Sequence, residues 1–162
     1  MMVTDNDTPG VIAPPPLIAT IAVVLGLLLD RVLPAYLLAT LLTFWERVAI
    51  GTLLAIAGGL LALAAERRFK AAGTNVMPWK PALHLATTGI YTRLRNPMYV
   101  GLMLLVAGIA IAAASDWTLV LLVPTALVLH HGVVLREERY LEGKFGQEYR
   151  HYMANVPRWW LW

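Results

Sequence analysis

Long uncharged apolar runs constrain this chain more than any other feature of its sequence. A helix that spans a bilayer needs about 20 consecutive, predominantly apolar residues. Four uncharged runs reach or approach that length, namely residues 8–29, 48–65, 96–115 and 117–135. Charged residues make up 14% of the 162 residues, whereas a soluble domain has about 25%. The sequence therefore predicts an all-α fold, an integral-membrane bundle of about four transmembrane helices.

Prolines and charged residues mark where these helices begin and end. The first helix should begin near Pro16, after a run of prolines, and end near Leu33. Residues 32–45 form a run that is too short to span, so we expect an interfacial connector there. The last two apolar runs meet at residues 115–117. That short link predicts a tight C-terminal hairpin over residues 97–135.

Small residues recur at intervals of three or four along the second apolar run. They are Gly51, Ala55, Gly58, Gly59 and Ala62. Such a stripe lets another helix approach closely. Packing inside the monomer is the first interpretation, and a dimer face is the alternative; the sequence leaves the oligomeric state open.

The segment after residue 135 mixes aromatic and charged residues at a spacing of three to five. It predicts a cytoplasmic amphipathic tail helix, or two short ones broken near Gly143 or Gly146, along the membrane surface. Tryptophans at the end of the chain suit interfacial anchoring; they are Trp159, Trp160 and Trp162. The predicted organisation is a flexible N-terminus (1–15), two transmembrane helices with a connector (16–66), a core (67–157) and an aromatic tail (158–162).

Basic residues are unevenly distributed between the two ends of the predicted helices. Residues 67–95 contain six Lys and Arg and no acid, and five more follow residue 135. Cytoplasmic loops of membrane proteins carry an excess of Lys and Arg. We therefore expect both termini and the segment 67–95 in the cytoplasm. Because the basic residues flank apolar helices, we expect a lipid bilayer as the partner and no nucleic acid.

Several kinds of site are excluded or disfavoured by what the chain lacks. There is no cysteine, so thiolate nucleophiles and cysteine-based metal sites are impossible. No G-x-G-x-x-G motif is present, which disfavours a Rossmann-type cofactor site. The pair His130-His131 has no partner ligands nearby in sequence, so we predict no metal site. His130 either borders a pocket or simply packs.

The predicted hairpin brings two distant polar clusters to the same end of the bundle. Helices rise equally per residue, so folding the chain at residues 115–116 places residue 95 level with residue 136. The clusters are Tyr91, Arg95, Asn96 and Tyr99, and Arg136, Glu137 and Glu138. One interpretation is a ring of interfacial charges that anchors the helix ends, and the other is a functional site. Adjacent Glu137 and Glu138 point to different sides of a helix, so at most one should face the site.

The connector over residues 72–81 contains Gly, Asn and two prolines. Such residues predict an irregular loop. Two interpretations stay open, a surface connector and a lid over a pocket.

A set of motifs in the second half of the chain resembles one family. The motifs are Gly89-Ile-Tyr91, Arg95-Asn96-Pro97-Met98-Tyr99-Val100-Gly101, Glu137-Glu138-x-x-Leu141, and Phe145-Gly146-x-x-Tyr149-x-x-Tyr152. Together they resemble the isoprenylcysteine carboxyl methyltransferase and phospholipid methyltransferase superfamily. The resemblance implies an integral-membrane methyltransferase that uses S-adenosylmethionine. It also implies a cytoplasmic cofactor pocket closed by the C-terminal segment, and a lipid or amphiphilic methyl acceptor.

By that resemblance, specific residues receive roles. The implied catalytic residues are Arg95, Asn96 and Glu138. The implied cofactor-binding residues are Gly89, Tyr91, Arg95, Asn96, Pro97, Tyr99, Gly101, Glu137 and Glu138. The implied substrate-binding residues are Thr74, Tyr149 and Tyr152. Many family members carry His where this chain has Asn96, and Asn can replace a His hydrogen bond but cannot titrate.

Two other functions compete with this interpretation. One is a membrane reductase that uses NADPH, as in sterol reductases, which carry a related motif. The adjacent glutamates would repel the phosphates of that cofactor. The other is a non-catalytic membrane protein, which predicts that Arg95 and Glu138 tolerate alanine without loss of a ligand. The identity of the methyl acceptor stays open.

Overall fold

The computed structural model describes residues 7–159. Within that range the chain forms helices and no strand, which confirms the all-α prediction. The helices are α1 (Pro15–Val32), α2 (Leu37–Leu41), α3 (Phe44–Ala71), α4 (Pro97–Ala112), α5 (Asp116–Leu129), α6 (Leu135–Phe145) and α7 (Gln147–Asn155). A 3-10 turn, Gly89–Thr92, precedes α4, and a π-helical turn, His130–Val134, joins α5 to α6.

Three helical segments in the described range are long and apolar enough to cross a membrane. They are α1, α3 and the continuous rod Asp116–Phe145 that contains α5 and α6. Helix α4 is apolar as well but has 16 residues. The chain is therefore a membrane helical bundle, with three long apolar helices and one shorter one where the sequence predicts about four spans.

Polar side chains and prolines fix the starts of three helices. Thr43 and Glu46 form a capping box at the start of α3, in which each side chain accepts from the other residue's backbone N–H. The Ser115 hydroxyl accepts from the Thr118 backbone at the start of α5. Pro97 is the first residue of α4, where a missing N–H costs nothing. These caps satisfy N–H groups that have no partner within the helix.

Helices α3 and α4 run antiparallel and touch through two pairs of glycines. A Cβ on Gly58 would lie 2.4 Å from the Gly101 carbonyl oxygen, and a Cβ on Gly108 would lie 2.5 Å from that of Gly51. Both separations are too short for real atoms. Gly51, Ala55, Gly58 and Ala62 of the stripe therefore pack against α4 inside the monomer, whereas a Cβ on Gly59 would meet nothing within 4 Å. Helix α4 also contacts α1 and α5.

At the end of the bundle away from the charged clusters, two aspartates hold neighbouring segments together by hydrogen bonds. The Asp116 carboxylate accepts from the Leu37 and Leu38 backbone N–H groups at 2.8 and 2.9 Å, which caps α2. The Asp30 carboxylate accepts from the Ser115 hydroxyl and the Trp117 backbone. These hydrogen bonds tie the connector after α1 to the α4–α5 turn.

The two ends of the chain are described only in part. The flexible N-terminus over residues 1–15 stays a prediction; within the described range, residues 7–14 form a segment that lies against α6 and the π-helical turn. Ile12 donates its backbone N–H to the Gly132 carbonyl at 3.2 Å. Hydrogen bonds and one ion pair hold this segment in place. Such contacts leave no periodic apolar pattern in the sequence from which the position of the segment could be predicted. Of the predicted anchors, Trp160 and Trp162 lie outside the described residues.

The amphipathic tail forms as two short helices, α6 and α7. The chain breaks at Gly146, whose φ is +55°, a conformation that favours glycine. Of the two glycines expected to break the tail, Gly146 does so and Gly143 lies within α6. The break turns α7 back toward the start of α4.

Candidate active site

A cavity of about 410 Å³ lies between α3, α4, α6, α7 and the loop of residues 72–88. Its polar lining includes Arg95, Asn96, Glu137 and Glu138. Its aromatic lining includes Phe69, Trp79, Tyr91, Tyr99, Tyr140, Tyr149 and Tyr152. The loop is thus a wall of the cavity, which favours the lid interpretation of residues 72–81 over a plain connector.

Glu138 lies between two arginines from distant parts of the chain. Its Oε1 is 3.3 Å from Nη1 of Arg95, and both side chains are 9% exposed. Arg158 approaches from the C-terminal segment, with Nη2 at 2.7 Å and Nε at 3.0 Å from Oε2. The carboxylate therefore holds α4, α6 and the C-terminal segment together.

Arg95 keeps hydrogen-bonding capacity that nothing in the described range uses. Its buried Nε and Nη1 have no hydrogen-bond partner among residues 7–159. Nη1 is close enough to Glu138 for charge attraction, but the geometry is not that of a hydrogen bond. Leaving buried charged donors unpaired is costly. The arrangement therefore suits an anionic ligand group beside Arg95.

Glu137 also faces the cavity, bound to a different partner. The Tyr99 hydroxyl donates to its Oε1 at 2.7 Å. Both glutamates line the cavity, so the expectation that at most one faces the site is wrong. The physical reason is that the cavity wraps around the start of α6, where Tyr99 and Arg158 approach from different sides.

The C-terminal segment closes against the start of α4. The Arg95 backbone N–H donates to the Pro157 carbonyl at 3.0 Å, and the Asn96 side-chain amide donates to the Arg158 carbonyl at 3.2 Å. Asn96 is buried and lines the cavity. Its amide therefore positions the segment that delivers Arg158 to Glu138.

Two buried tyrosines, Tyr91 and Tyr149, and the half-buried Tyr152 build the wall under α7. The Tyr152 hydroxyl donates to the Tyr91 carbonyl at 2.7 Å, and the Tyr91 ring packs edge-on against Phe69 with centroids 5.2 Å apart. Burial raises the pKa values of the Tyr91, Tyr149 and Tyr152 hydroxyls well above their usual range. The hydroxyls therefore stay protonated at neutral pH; that of Tyr152 donates within the wall, and those of Tyr91 and Tyr149 carry a proton that a ligand can accept.

Three of the predicted site residues do not line the cavity. The Thr74 hydroxyl accepts from the Leu83 and His84 backbone N–H groups and so shapes the loop. Gly89 has φ of +64°, and a Cβ there would lie 2.3 Å from Nε of Arg68. Pro97 is fully buried at the start of α4. The residues that the structure does bring to the cavity are Tyr91, Arg95, Asn96, Tyr99, Gly101, Glu137, Glu138, Tyr149 and Tyr152.

Two residues important to the cavity are missed by the sequence analysis. From the sequence, Arg158 is only one of the five basic residues that follow residue 135, and no rule of residue spacing connects it with Glu138. Tyr140 follows Glu137 by three residues, which places both on one face of a helix. That spacing is a signal that can identify Tyr140 as a lining residue.

A second, apolar groove of about 640 Å³ runs between α4 and α5. Tyr99 lines both this groove and the polar cavity. His130 lines the groove, with its ring centroid 5.9 Å from that of Trp159. His130 therefore packs beside the groove and is not among the residues that line the polar cavity.

Comparisons with known proteins agree with this arrangement. Residues 46–148 match the profile of a family described as phospholipid methyltransferase, a range that runs from α3 into α7. An uncharacterized protein of Haemophilus influenzae is 36% identical over 62 residues, which is 38% of this chain and 98% of that protein. No solved structure matches the chain.

Proposed function

The chain belongs to the phospholipid methyltransferase family and is a membrane methyltransferase, and from that premise we propose that it uses S-adenosylmethionine. The acceptor we propose is a lipid or an amphiphilic small molecule. The observation that carries the proposal is Arg95, whose buried guanidinium has unused donors beside two carboxylates and a set of aromatic rings.

The donor set of the cavity fits the chemical groups of this cofactor. When bound, S-adenosylmethionine would supply an electrophilic methyl group: the acceptor would contribute the electron pair of the new bond, and the electron pair of the methyl–sulfur bond would stay on sulfur. Arg95 would bind the carboxylate of the cofactor through its free donors. Glu137 and Glu138 would accept hydrogen bonds from its ammonium group or ribose hydroxyls. The tyrosine faces would attract its positive sulfur.

The chain's own residues would contribute by positioning the reactants. Methyl transfer needs the two reacting atoms held in line, so orientation supplies much of the rate. Arg158 and Asn96 hold the C-terminal segment closed, which excludes water from Glu138. A carboxylate or thiolate acceptor needs no base, whereas an amine must arrive neutral or lose a proton.

We place the acceptor's entrance beside α3 and the loop of residues 74–81. Gly59 lines the cavity on this side, and a Cβ there would meet nothing within 4 Å. Small residues on α3 therefore leave room for a ligand from the bilayer. The basic residues of the segment 67–95 support a cytoplasmic location of the site. The reductase alternative has no support from the family match.

Calorimetric titration of S-adenosylmethionine into detergent-purified protein tests the cofactor. We expect saturable binding that weakens about 30-fold or more in Arg95→Met, because a buried charged partner is lost. Arg93→Met is the matched control, since Arg93 is an exposed arginine two residues away. NADPH, titrated separately, should give no heat of binding.

The results separate the competing functions. Binding of NADPH alone would reject the methyl donor and favour the reductase. Equal affinity in Arg95→Met and Arg93→Met would remove Arg95 from the cofactor site. Transfer of the labelled methyl group to a total lipid extract would then identify the acceptor.

A further inference from the structure

Residues 7–14, named here the strap, run along α6 and the π-helical turn, with contacts from Lys144 to Gly132. Four contacts hold the strap to the rod of α5 and α6: an ion pair of Asp7 with Lys144 (2.6 Å), hydrogen bonds from Tyr140 to Asp7 (2.8 Å) and from Arg136 to the Gly10 carbonyl (2.8 Å), and one from Ile12 to Gly132 (3.2 Å). Pro9 of the strap lines the cavity. The strap is therefore part of the cavity wall.

The Tyr140 hydroxyl joins the strap to the loop of residues 72–88. It accepts from the Ala82 backbone N–H at 3.0 Å and from Lys144 at 3.0 Å, and it donates to the Asp7 carboxylate at 2.8 Å. A hydroxyl has one donor and two acceptor sites. All three are in use, so one oxygen atom fastens two separate wall segments to α6.

The contacts that hold the strap are partly exposed to solvent and therefore weak. The side chains of Asp7 and Lys144 are 35% and 27% exposed, and ion pairs near the surface contribute little. Ile12 is 53% exposed, although the end of its side chain lies over Gly132. The core of the bundle, in contrast, has glycine-to-backbone contacts between helices. The strap can therefore open while the bundle stays folded.

We propose that the strap and the loop form a lid over the cavity, latched by the Tyr140 hydroxyl, and that this lid opens for the cofactor to enter and leave. The identity of the ligand that exchanges rests on the proposed function. The lid itself rests on the contacts of Tyr140 and Asp7. Tyr140 is a positioning residue in this proposal, because it acts through the two segments it joins. Lid opening limits turnover in many enzymes.

Accessibility of the cavity tests the lid without any ligand. The chain has no cysteine, so Met98→Cys places a single thiol in the cavity lining. The rate at which this thiol reacts with a charged methanethiosulfonate is measured in two proteins, one with Met98→Cys alone and one that carries Tyr140→Phe as well. We expect the rate to rise at least about 2- to 10-fold in Tyr140→Phe, the factor that one lost hydrogen bond provides, because the variant removes all three hydrogen bonds of the hydroxyl. Arg139→Gln, an exposed neighbour on α6, should leave the rate unchanged.

Exchange of S-adenosylmethionine gives the second measurement. Association and dissociation rates should both rise in Tyr140→Phe, with a smaller change in affinity, because an open lid eases passage in both directions. A merely structural tyrosine would lower the affinity without accelerating association. Asp7→Asn, which alters only the strap, should reproduce the effect in a protein whose core is untouched.

The outcomes distinguish the lid from the proposed cofactor. An unchanged thiol reaction rate in both Tyr140→Phe and Asp7→Asn would overturn the lid. A raised thiol rate in a protein that does not bind S-adenosylmethionine would keep the lid and reject the proposed function. Raised rates in both measurements support the two together.

Discussion

The Tyr99 hydroxyl donates a 2.7 Å hydrogen bond to the Glu137 carboxylate and so joins the start of α4 to the start of α6. The two residues are 38 positions apart in the chain, and the α4–α5 hairpin brings them together. Tyr99 also separates the polar cavity from the apolar groove between α4 and α5. One side chain thus defines the border between the two.

Tyr99→Phe should destabilise the protein while keeping its ring in place. Glu137 would lose its hydrogen-bond donor, and leaving a buried acceptor without a partner costs about 1–3 kcal/mol. The free energy of unfolding, followed by tryptophan fluorescence in detergent, measures the loss. Tyr36→Phe is the matched control, because Tyr36 is 64% exposed. Equal stability of the two variants would show that the hydrogen bond contributes nothing.

Replacing either of two adjacent glycines on α3 by alanine should change the free energy of unfolding in opposite directions. Gly58→Ala places a Cβ against the Gly101 carbonyl oxygen at 2.4 Å, and overpacking of this kind costs about 1–3 kcal/mol. Gly59→Ala meets nothing within 4 Å and should stabilise the helix by up to about 1 kcal/mol. Unfolding of both variants under the same conditions checks the contrast. Similar effects at the two positions would contradict the described α3–α4 contact.

Glu138→Gln should be the most damaging charge neutralisation in the site. It leaves Arg95 without its buried partner, and breaking a buried ion pair costs about 3–5 kcal/mol. Arg158→Met should cost less, because Arg158 is 33% exposed and Arg95 still faces the carboxylate. Glu142→Gln, in the exposed pair with Arg150, should cost below about 1 kcal/mol. Any other order of the three unfolding free energies would argue against this network.

The strap should stay seated near neutral pH and leave in acid. Hydrogen bonds from Lys144 and Tyr140 hold the pKa of the Asp7 carboxyl below its usual value. A lowered pKa means that the contact stabilises the seated strap above the pKa of the free carboxyl and is lost as the pH falls through the lowered value. A nitroxide on Thr8→Cys should therefore be restrained from about pH 8 to about pH 5, and its restraint should be lost progressively below about pH 4, as the pH falls through the lowered pKa of Asp7.

The matched control for that measurement is Asp7→Asn in the same labelled protein. Its nitroxide should be mobile throughout, without a transition, because the amide carries no charge to titrate. Restraint of the label at every pH in both proteins would mean that other contacts hold the strap.

Much of the bundle is predictable because its determinants are local. Apolar length gives α1, α3 and α4, and the start of α1 at Pro15 lies one residue from the predicted position. Equal helical rise at the hairpin places Arg95 and Glu138 at one end, and their side chains are 3.3 Å apart. Chain order and helix geometry are sufficient for this part of the site.

The remaining features depend on contacts that leave no pattern in the chain. Arg158 reaches Glu138 because α7 turns back at Gly146, and the direction of that turn is a tertiary property. The strap is placed by individual contacts to Lys144, Tyr140, Arg136 and Gly132, which form no periodic pattern in the sequence. That Glu137 and Glu138 both face the cavity depends on the shape of the cavity around α6, which a helical wheel does not include.

The glycine contact between α3 and α4 links the volume of the cavity to the distance between the two helices. Gly58 and Gly101 line the cavity and also set the distance between the two helices. Any side chain added at either position would therefore change the ligand space and the helix spacing together. The volume of the cavity can instead be changed at neighbours such as Gly59, where a side chain can be added without moving a backbone.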